Sequence, residues 1–246
     1  MNAVHEFLWV VLPYVALTVF VVGHVWRYRT DQFGWTSRSS QLYERKVLSI
    51  GSPLFHYGVL AAVAGHVLGI LIPKSWTVAV GLDEHRYHVL AAIGGGFAGA
   101  AATAGMLILL YRRIAYPRVR KATSPMDVAM YVTMAVVVGL GIGETVAVNV
   151  IGHGYDYRGS VGLWFRSIFA GNPDVGLMVR APLVYQVHAI TAWAFIALFP
   201  FTRLVHAWSA PVWYLWRPFV LYRHRTPVPP RQAGASRRWR RAGVDA

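Results

Sequence analysis

Five long apolar stretches limit what this 246-residue chain can fold into. A helix needs roughly 20 residues to cross a hydrocarbon core about 30 Å thick. Membrane β-strands would be about half as long and would alternate in polarity, which these stretches do not. We therefore predict an all-α integral membrane protein with five transmembrane helices, spans 1 to 5, at residues 7–26, 52–72, 88–111, 127–148 and 183–208.

The composition excludes several classes of protein. Only 14% of the residues are charged, against about 25% in soluble domains, which excludes an ordinary water-soluble enzyme. A net charge of +14 with such long apolar runs favours a membrane over a nucleic-acid partner. The chain has no cysteine, so its own thiolates hold no iron–sulfur cluster.

The basic residues predict the direction of the spans. Five Lys or Arg residues lie between spans 1 and 2, five between spans 3 and 4, and eight after span 5, whereas the two opposite connections together carry five. By the positive-inside rule, the N-terminus is outside and the C-terminus is cytoplasmic. The same charge favours anionic lipid. We expect residues 1–224 to form the membrane domain and residues 225–246 a basic, disordered cytoplasmic tail.

The longest outer connection, 149–182, contains an apolar pattern of helical spacing. Trp164, Phe165, Ile168 and Phe169 are spaced like one face of a short helix. This pattern predicts a helix that lies on the membrane surface as an interfacial cap.

Four histidines inside the spans are the main candidates for function, because ionisable groups there are rare. His56 and His66 lie on span 2, and His188 and His206 on span 5. Since the two spans run in opposite directions, His56 and His206 share a depth near the cytoplasm, and His66 and His188 share one nearer the outside. Two facing imidazoles are what a six-coordinate haem iron needs.

Helix geometry leaves a mismatch between the two pairs. A continuous helix separates the histidines of span 2 by about 15 Å and those of span 5 by about 27 Å. A kink at Pro200, helix tilt and slanted ligand axes are the expected remedies. Gly58, Gly65 and Gly69 flank the span 2 histidines, either to admit a flat macrocycle or to let helices pack closely.

Four stretches resemble a known family, the gamma subunit of membrane-bound respiratory nitrate reductase, a dihaem cytochrome b. They are RYRTDQFGWTSRSSQLYERK (27–46), SPLFHYGVLAAVAGHVLGILIP (52–73), YPRVR (116–120) and LFPFTRLVHAWSAPVWYLWR (198–217). The resemblance implies that His56 with His206 bind an inner haem b, and His66 with His188 an outer haem b. It thereby makes residues 1–224 a five-helix dihaem domain.

The resemblance also implies a role and partners. The family subunit oxidises quinol near the outer haem in the bacterial inner membrane. It passes the electrons to an iron–sulfur beta subunit and a molybdenum-containing alpha subunit at the cytoplasmic face, where nitrate is reduced.

One position departs from the family. A lysine at the start of span 3 is associated with the quinol site in the family, and this chain has Arg86 there, in the run DEHRYH (83–88). Arg86 is the candidate quinol-binding residue, with His85 and His88 as neighbours that could share a proton role. The alternative is a positive anchor at the membrane interface.

Three other functions stay open at this point. The same dihaem chemistry would serve a quinone-linked formate dehydrogenase or hydrogenase. The histidines could instead form a proton relay in a cofactor-free transporter, although Glu144 is the one carboxylate clearly within a span and inverted repeats are not evident. A bare membrane anchor is the third.

Overall fold

The described part of the chain, residues 2–152, 154–209 and Trp216 of a computed structural model, is helical and contains no β-strand. Five helices are long and apolar enough to cross a membrane: Ala3–Thr30, Lys46–Leu71, Glu84–Ala115, Pro125–Ile151 and Leu183–Phe201. These are spans 1 to 5 in order. The predicted number of spans and the all-α class of this part are confirmed.

Short helices join the spans. They are Lys74–Ala79, Pro117–Lys121, Val161–Phe169 and Val175–Val179, and a 3₁₀ turn at Arg203–Ala207 follows span 5. Three spans contain π-helical segments, at Phe7–Val11, Val67–Leu71 and Glu144–Ile151. The expected tail, 225–246, lies outside the described residues.

Local sequence explains where two of the spans begin. The Asp83 carboxylate accepts a hydrogen bond from the backbone N–H of Arg86 (2.8 Å) and caps span 3. Ser124 and Asp127 form a reciprocal capping box at the start of span 4, with Pro125 in the first turn. These caps satisfy backbone donors that the membrane would otherwise leave unpaired.

The spans pack in two groups. Span 2 packs mainly against span 3, and span 5 packs against spans 1 and 4, with span 3 joined to span 4. Spans 2 and 5 make at most marginal contact with each other. One end of the spans holds Thr30, Lys46, Ala115, Pro125 and Phe201. We call it the basic end, because most of the described Lys and Arg residues outside the spans lie in the segments at that end.

Span 5 is shorter than predicted. The expected helix over 183–208 ends at Leu198 and continues only as a 3₁₀ turn to Phe201. Thr202 is extended (φ −105°, ψ 178°), and a second 3₁₀ turn then carries His206. Pro200 cannot donate a backbone hydrogen bond, which favours a break at this point. His188 and His206 therefore do not lie on one continuous helix, and the 27 Å rise does not apply.

A buried arginine holds this break. Arg27 is 4% exposed, and its guanidinium donates to the carbonyls of Pro200 (2.7 Å), Thr202 (2.6 Å) and Gly34 (2.9 Å). Carbonyls released by a helix break need such donors. Arg27 thus joins span 1 to the end of span 5.

Two buried ion pairs tie the connections at the basic end to the spans. Arg112 donates to the Glu44 carboxylate (2.6 Å) and to Ser40. Burial opposes ionisation of Glu44, but backbone N–H groups and Arg112 hold its pKa below its usual range. Arg203 forms a two-point ion pair with Asp127 (2.8 and 2.5 Å).

The connection between spans 4 and 5 contains the predicted helix and buries part of its predicted face. Trp164 and Ile168 on helix Val161–Phe169 are 1% and 2% exposed. Trp164 packs edge-to-face against Trp9 (5.7 Å) and donates to its carbonyl (3.0 Å). Trp164 and Ile168 thus cover the end of span 1 away from the basic end, whereas Phe169 on the same predicted face is 62% exposed. The position of this helix at the membrane surface stays a prediction.

The contact between spans 2 and 3 yields a prediction. A Cβ at Gly58 would lie 2.3 Å from the backbone nitrogen of Ala102, whereas one at Gly96 would meet no atom within 4 Å. Gly58→Ala should lower the free energy of unfolding by about 2 kcal/mol because the helices must separate. Gly96→Ala should be neutral or stabilising, since alanine favours helix. Thermal unfolding in detergent compares the two, and equal stability would contradict the close packing at Gly58.

Candidate functional site

Four histidines meet in two pairs, one between span 2 and span 5 and the other between span 2 and the 3₁₀ turn that follows span 5. Nearer the basic end, the ring centroids of His56 and His206 lie 6.0 Å apart, with the ring planes at 70°. Towards the other end, those of His66 and His188 lie 6.2 Å apart, with the planes at 21°. The structure thus brings together the histidines that share a depth in the sequence.

Hydrogen bonds orient three of the four imidazoles. In each, Nδ1 lies close to a backbone carbonyl: His56 with Ser52 (2.7 Å), His66 with Ala62 (2.7 Å) and His206 with Arg203 (2.6 Å). A carbonyl only accepts, so Nδ1 carries the proton and Nε2 keeps its lone pair. Metal-binding histidines are held in this way. In His188, Nδ1 is buried and has no partner among the described residues.

The spacing of the rings suits axial ligation. Two imidazoles on opposite sides of one metal, each bonded at about 2 Å, place their ring centres roughly 6 Å apart. The backbones of spans 2 and 5 make at most marginal contact with each other. Each pair could hold one six-coordinate metal centre of the metalloporphyrin type.

Glycines lie beside the His66–His188 pair. A Cβ at Gly65, next to His66, would meet no atom within 4 Å. A Cβ at Gly141 on span 4 would be 3.3 Å from the ring of His188, so glycine lets span 4 approach that ring closely. A planar group between the imidazoles needs such open backbone, so the residues present fit a haem.

The other two flanking glycines have packing roles. Gly58 faces the backbone of span 3, and a Cβ at Gly69 would come within 2.7 Å of the hydroxyls of Tyr87 and Tyr157. Of the three glycines flanking the span 2 histidines, only Gly65 faces open space.

Among the described residues, no group of three or more His, Cys, Asp or Glu could bind a bare metal ion. Two histidines that bind a haem iron do not need such a group.

Arg86 lies apart from His88 on span 3. Its side chain is 69% exposed, pairs with Asp83 (3.5 Å) and donates to the Gly81 carbonyl (3.0 Å). With His85 it lines an open groove of about 460 Å³, completed by Val89, Leu90 and Ile93. His88 lines a separate cavity, because two residues along a helix turn the side chain by about 200°.

That separate cavity, which we call the tyrosine cavity, measures about 210 Å³ and opens at the end away from the basic end. It is lined by Glu84, Tyr87, His88, Ala91, Asn149, Gly154, Tyr155, Asp156, Tyr157 and Arg158. The hydroxyls of Tyr87 and Tyr157 are hydrogen-bonded (2.6 Å). Burial, and then this hydrogen bond, raise the pKa of Tyr157, so it stays a neutral donor and acceptor.

Asp156 gives the cavity a charged rim. Burial opposes its ionisation, but Lys74 (2.5 Å) and the backbone N–H of Gly159 hold its pKa below its usual range. Sequence reasoning missed this cavity, because its residues come from spans 3 and 4 and a loop with no common motif.

The sequence comparisons agree with this geometry. Residues 5–225 match the sequence profile described as "Nitrate reductase gamma subunit". The chain belongs to that family. The match takes in all four paired histidines as well as Arg86 and Glu144, so the site described above lies inside the family region.

Relatives from three bacteria show how far the similarity extends. The chain is 46% identical to the nitrate reductase gamma chain of Bacillus subtilis over 222 residues, and this alignment covers 90% of this chain and 99% of the relative. It is 33% identical over 227 residues to the respiratory nitrate reductase 1 gamma chain of Escherichia coli, which covers 92% and 100%.

The third relative is much longer. The nitrate reductase-like protein NarX of Mycobacterium tuberculosis is 48% identical over 221 residues, which covers 89% of this chain and 34% of that relative. This chain therefore spans about a third of the length of NarX.

Proposed function

We propose that this chain is the membrane cytochrome b subunit of a nitrate reductase complex. It oxidises quinol near the outer face and delivers the electrons to cytoplasmic subunits that reduce nitrate. The observation that carries the proposal is the pair of facing imidazole sets, with ring centroids 6.0 and 6.2 Å apart, in a member of this family.

The four histidines are proposed as axial ligands of two b-type haems. His56 and His206 hold the inner one, and His66 and His188 the outer one. Bound haem supplies one-electron redox chemistry that the chain's own side chains lack. The protein fixes the imidazoles: carbonyls of Ser52, Ala62 and Arg203 accept hydrogen bonds from Nδ1 of three rings, which leaves their Nε2 atoms available as ligands.

The proposed orientation follows from charge. The basic end faces the cytoplasm of a bacterial inner membrane, with the N-terminus outside and the C-terminus inside. His56 and His206 then lie towards the cytoplasm, where electrons leave. An iron–sulfur beta subunit and a molybdenum-containing alpha subunit are the proposed partners at this face. The absence of cysteine from the chain supports this division, because an iron–sulfur relay must then be external.

Quinol is proposed to enter from the lipid at the outer end of span 3. The groove beside Arg86 is lined by apolar side chains and a guanidinium, which suits a molecule with an apolar tail and polar ring oxygens. Arg86 attracts and orients the quinol head, and oxidation takes place deeper, beside His66 and His188.

The family match favours nitrate reductase over a formate dehydrogenase or hydrogenase subunit. It also argues against a cofactor-free transporter or a bare anchor. An absorption spectrum distinguishes the proposed cytochrome from a transporter or an anchor, because bis-histidine haem gives sharp bands on reduction and neither alternative contains haem.

Replacing single histidines tests the pairing. His66→Ala or His188→Ala should remove one haem, and His56→Ala or His206→Ala the other, because each iron needs both ligands. Low-temperature absorption spectra of the reduced protein resolve the two, and each pair of variants serves as the control for the other. If His66→Ala and His206→Ala removed the same haem, the pairing would be wrong.

Replacing Arg86 tests the quinol entrance. Arg86→Ala should raise the KM for quinol at least tenfold, since a charged hydrogen bond is worth roughly 1.5 to 3 kcal/mol. Both haem spectra should stay intact. Arg180→Ala, another exposed arginine at the same end, is the matched control. Unchanged quinol kinetics in Arg86→Ala would leave Arg86 as an interfacial anchor.

A further inference from the structure

Glu144 is a buried carboxylate with an unsatisfied oxygen inside span 4. It is 9% exposed, and its Oε1 has no hydrogen-bond partner among the described residues. The other carboxylates of the spans, Glu6, Glu84 and Asp127, lie in first turns. Glu144 lies about two turns inside its helix. A carboxylate is costly at such a position and typically marks an ion or proton pathway.

The backbone at Glu144 is unusual as well. The α-helix of span 4 ends at Gly143, and Glu144 begins the π-helical segment that runs to Ile151. The side-chain amide of Asn149 donates to the Glu144 carbonyl (3.2 Å) inside this segment. π-Helical segments are rare and are frequent at functional sites. The segment brings Asn149 to the wall of the tyrosine cavity.

Glu144 lies about one helical turn beyond the outer histidine pair along span 4. Gly141, one turn earlier on span 4, is the point of contact with the ring of His188. Three residues advance a helix by about 4.5 Å. Glu144 is therefore displaced from His188 by about one turn, in the direction away from the basic end.

A chain of polar groups leads from Glu144 to the tyrosine cavity. The side-chain amide of Asn149, which donates to the backbone carbonyl of Glu144, also donates to the hydroxyl of Tyr185 (3.4 Å). The ring of Tyr185 packs against those of Tyr155 (5.1 Å) and Tyr157 (6.3 Å), both of which line the cavity.

From there the path reaches the surface. The Tyr157 hydroxyl is bonded to that of Tyr87, and Glu84, His88 and Asp156 line the same cavity. Asp156 and Glu84 are about half exposed. Hydroxyls and carboxylates at these spacings can pass protons through intervening water.

We propose that Glu144 is the proton carrier that takes protons from quinol beside His66 and His188 and passes them through the tyrosine cavity to the outer face. This inference rests on the proposed function. It assigns Glu144 and the cavity to proton exit, whereas Arg86 acts where quinol enters.

The reaction balances with nitrate as the oxidant. One quinol loses two electrons and two protons and becomes quinone. The two electrons reduce one nitrate to nitrite, and two protons taken up on the cytoplasmic side form water with the oxygen removed. The two quinol protons leave one at a time through the Glu144 carboxylate, which is regenerated after each transfer.

The test uses the assembled complex in sealed right-side-out vesicles, with nitrate inside and duroquinol as the donor. External acidification is followed with a pH-sensitive dye. E144Q keeps the shape of the side chain but cannot carry a proton, and should slow external acidification at least tenfold, because a positioned proton acceptor contributes about 10²-fold or more. E144D should retain most of the rate. The matched control is E6Q, an exposed carboxylate at the same end.

A second measurement detects the proton on Glu144 itself. Infrared difference spectra recorded on adding quinol should contain a carboxyl carbonyl band that shifts in D₂O, and E144Q should abolish it. Nitrate reduction driven by a dye that feeds the cytoplasmic subunits directly should be unchanged, which shows that the variant is assembled.

The outcomes separate the two proposals. Wild-type complex that reduces nitrate with quinol but does not acidify the outside would overturn the proposed outer oxidation and the proton route together. Wild-type acidification at an equal rate in E144Q, with the carbonyl band retained, would overturn the role of Glu144 alone.

Discussion

Two hydrogen bonds from the buried guanidinium of Arg27 hold the break at the end of span 5, and the His56–His206 pair depends on that break. Without Arg27, the carbonyls of Pro200 and Thr202 would lose these donors in a membrane, where no water replaces them. With the chain redirected at Thr202, His206 faces His56 while His188 still faces His66. The two histidines of span 2, which are ten residues apart, can then face His188 and His206, which are eighteen residues apart. Arg27, one of the basic residues from which the direction of the spans is predicted, thus also holds spans 1 and 5 together.

The opposite end of the bundle is built on aromatic packing. Trp164 and Ile168 cover Trp9, and the same connection brings Tyr155 and Tyr157 against Tyr185. This packing closes the sides of the tyrosine cavity and leaves its mouth at the surface. In the proposed function, Glu144 connects His188 to the cavity, so that protons leave outward through tyrosines and carboxylates while electrons pass inward towards His56 and His206. Separating the two charges in this way across the membrane conserves energy.

The number of spans and the candidate histidines could be predicted from the sequence, because hydropathy and helical spacing are local properties. The depth match of His56 with His206 needed only the direction of two helices. The exact end of span 5 could not be predicted, since Arg27 supplies its donors from 173 residues away. The sequence also could not predict the burial of Trp164, the open space beside Gly65, or that Arg86 and His88 face different cavities. These depend on which helix lies alongside, and periodicity in a single sequence does not carry that information.

The haem content of the purified complex tests the central claim most directly. The account predicts two b-type haems for each copy of this chain, both low-spin with two imidazole ligands in electron paramagnetic resonance spectra. It follows from ring centroids about 6 Å apart in both pairs. One haem or none per chain, or a high-spin iron with an open coordination position, would contradict it.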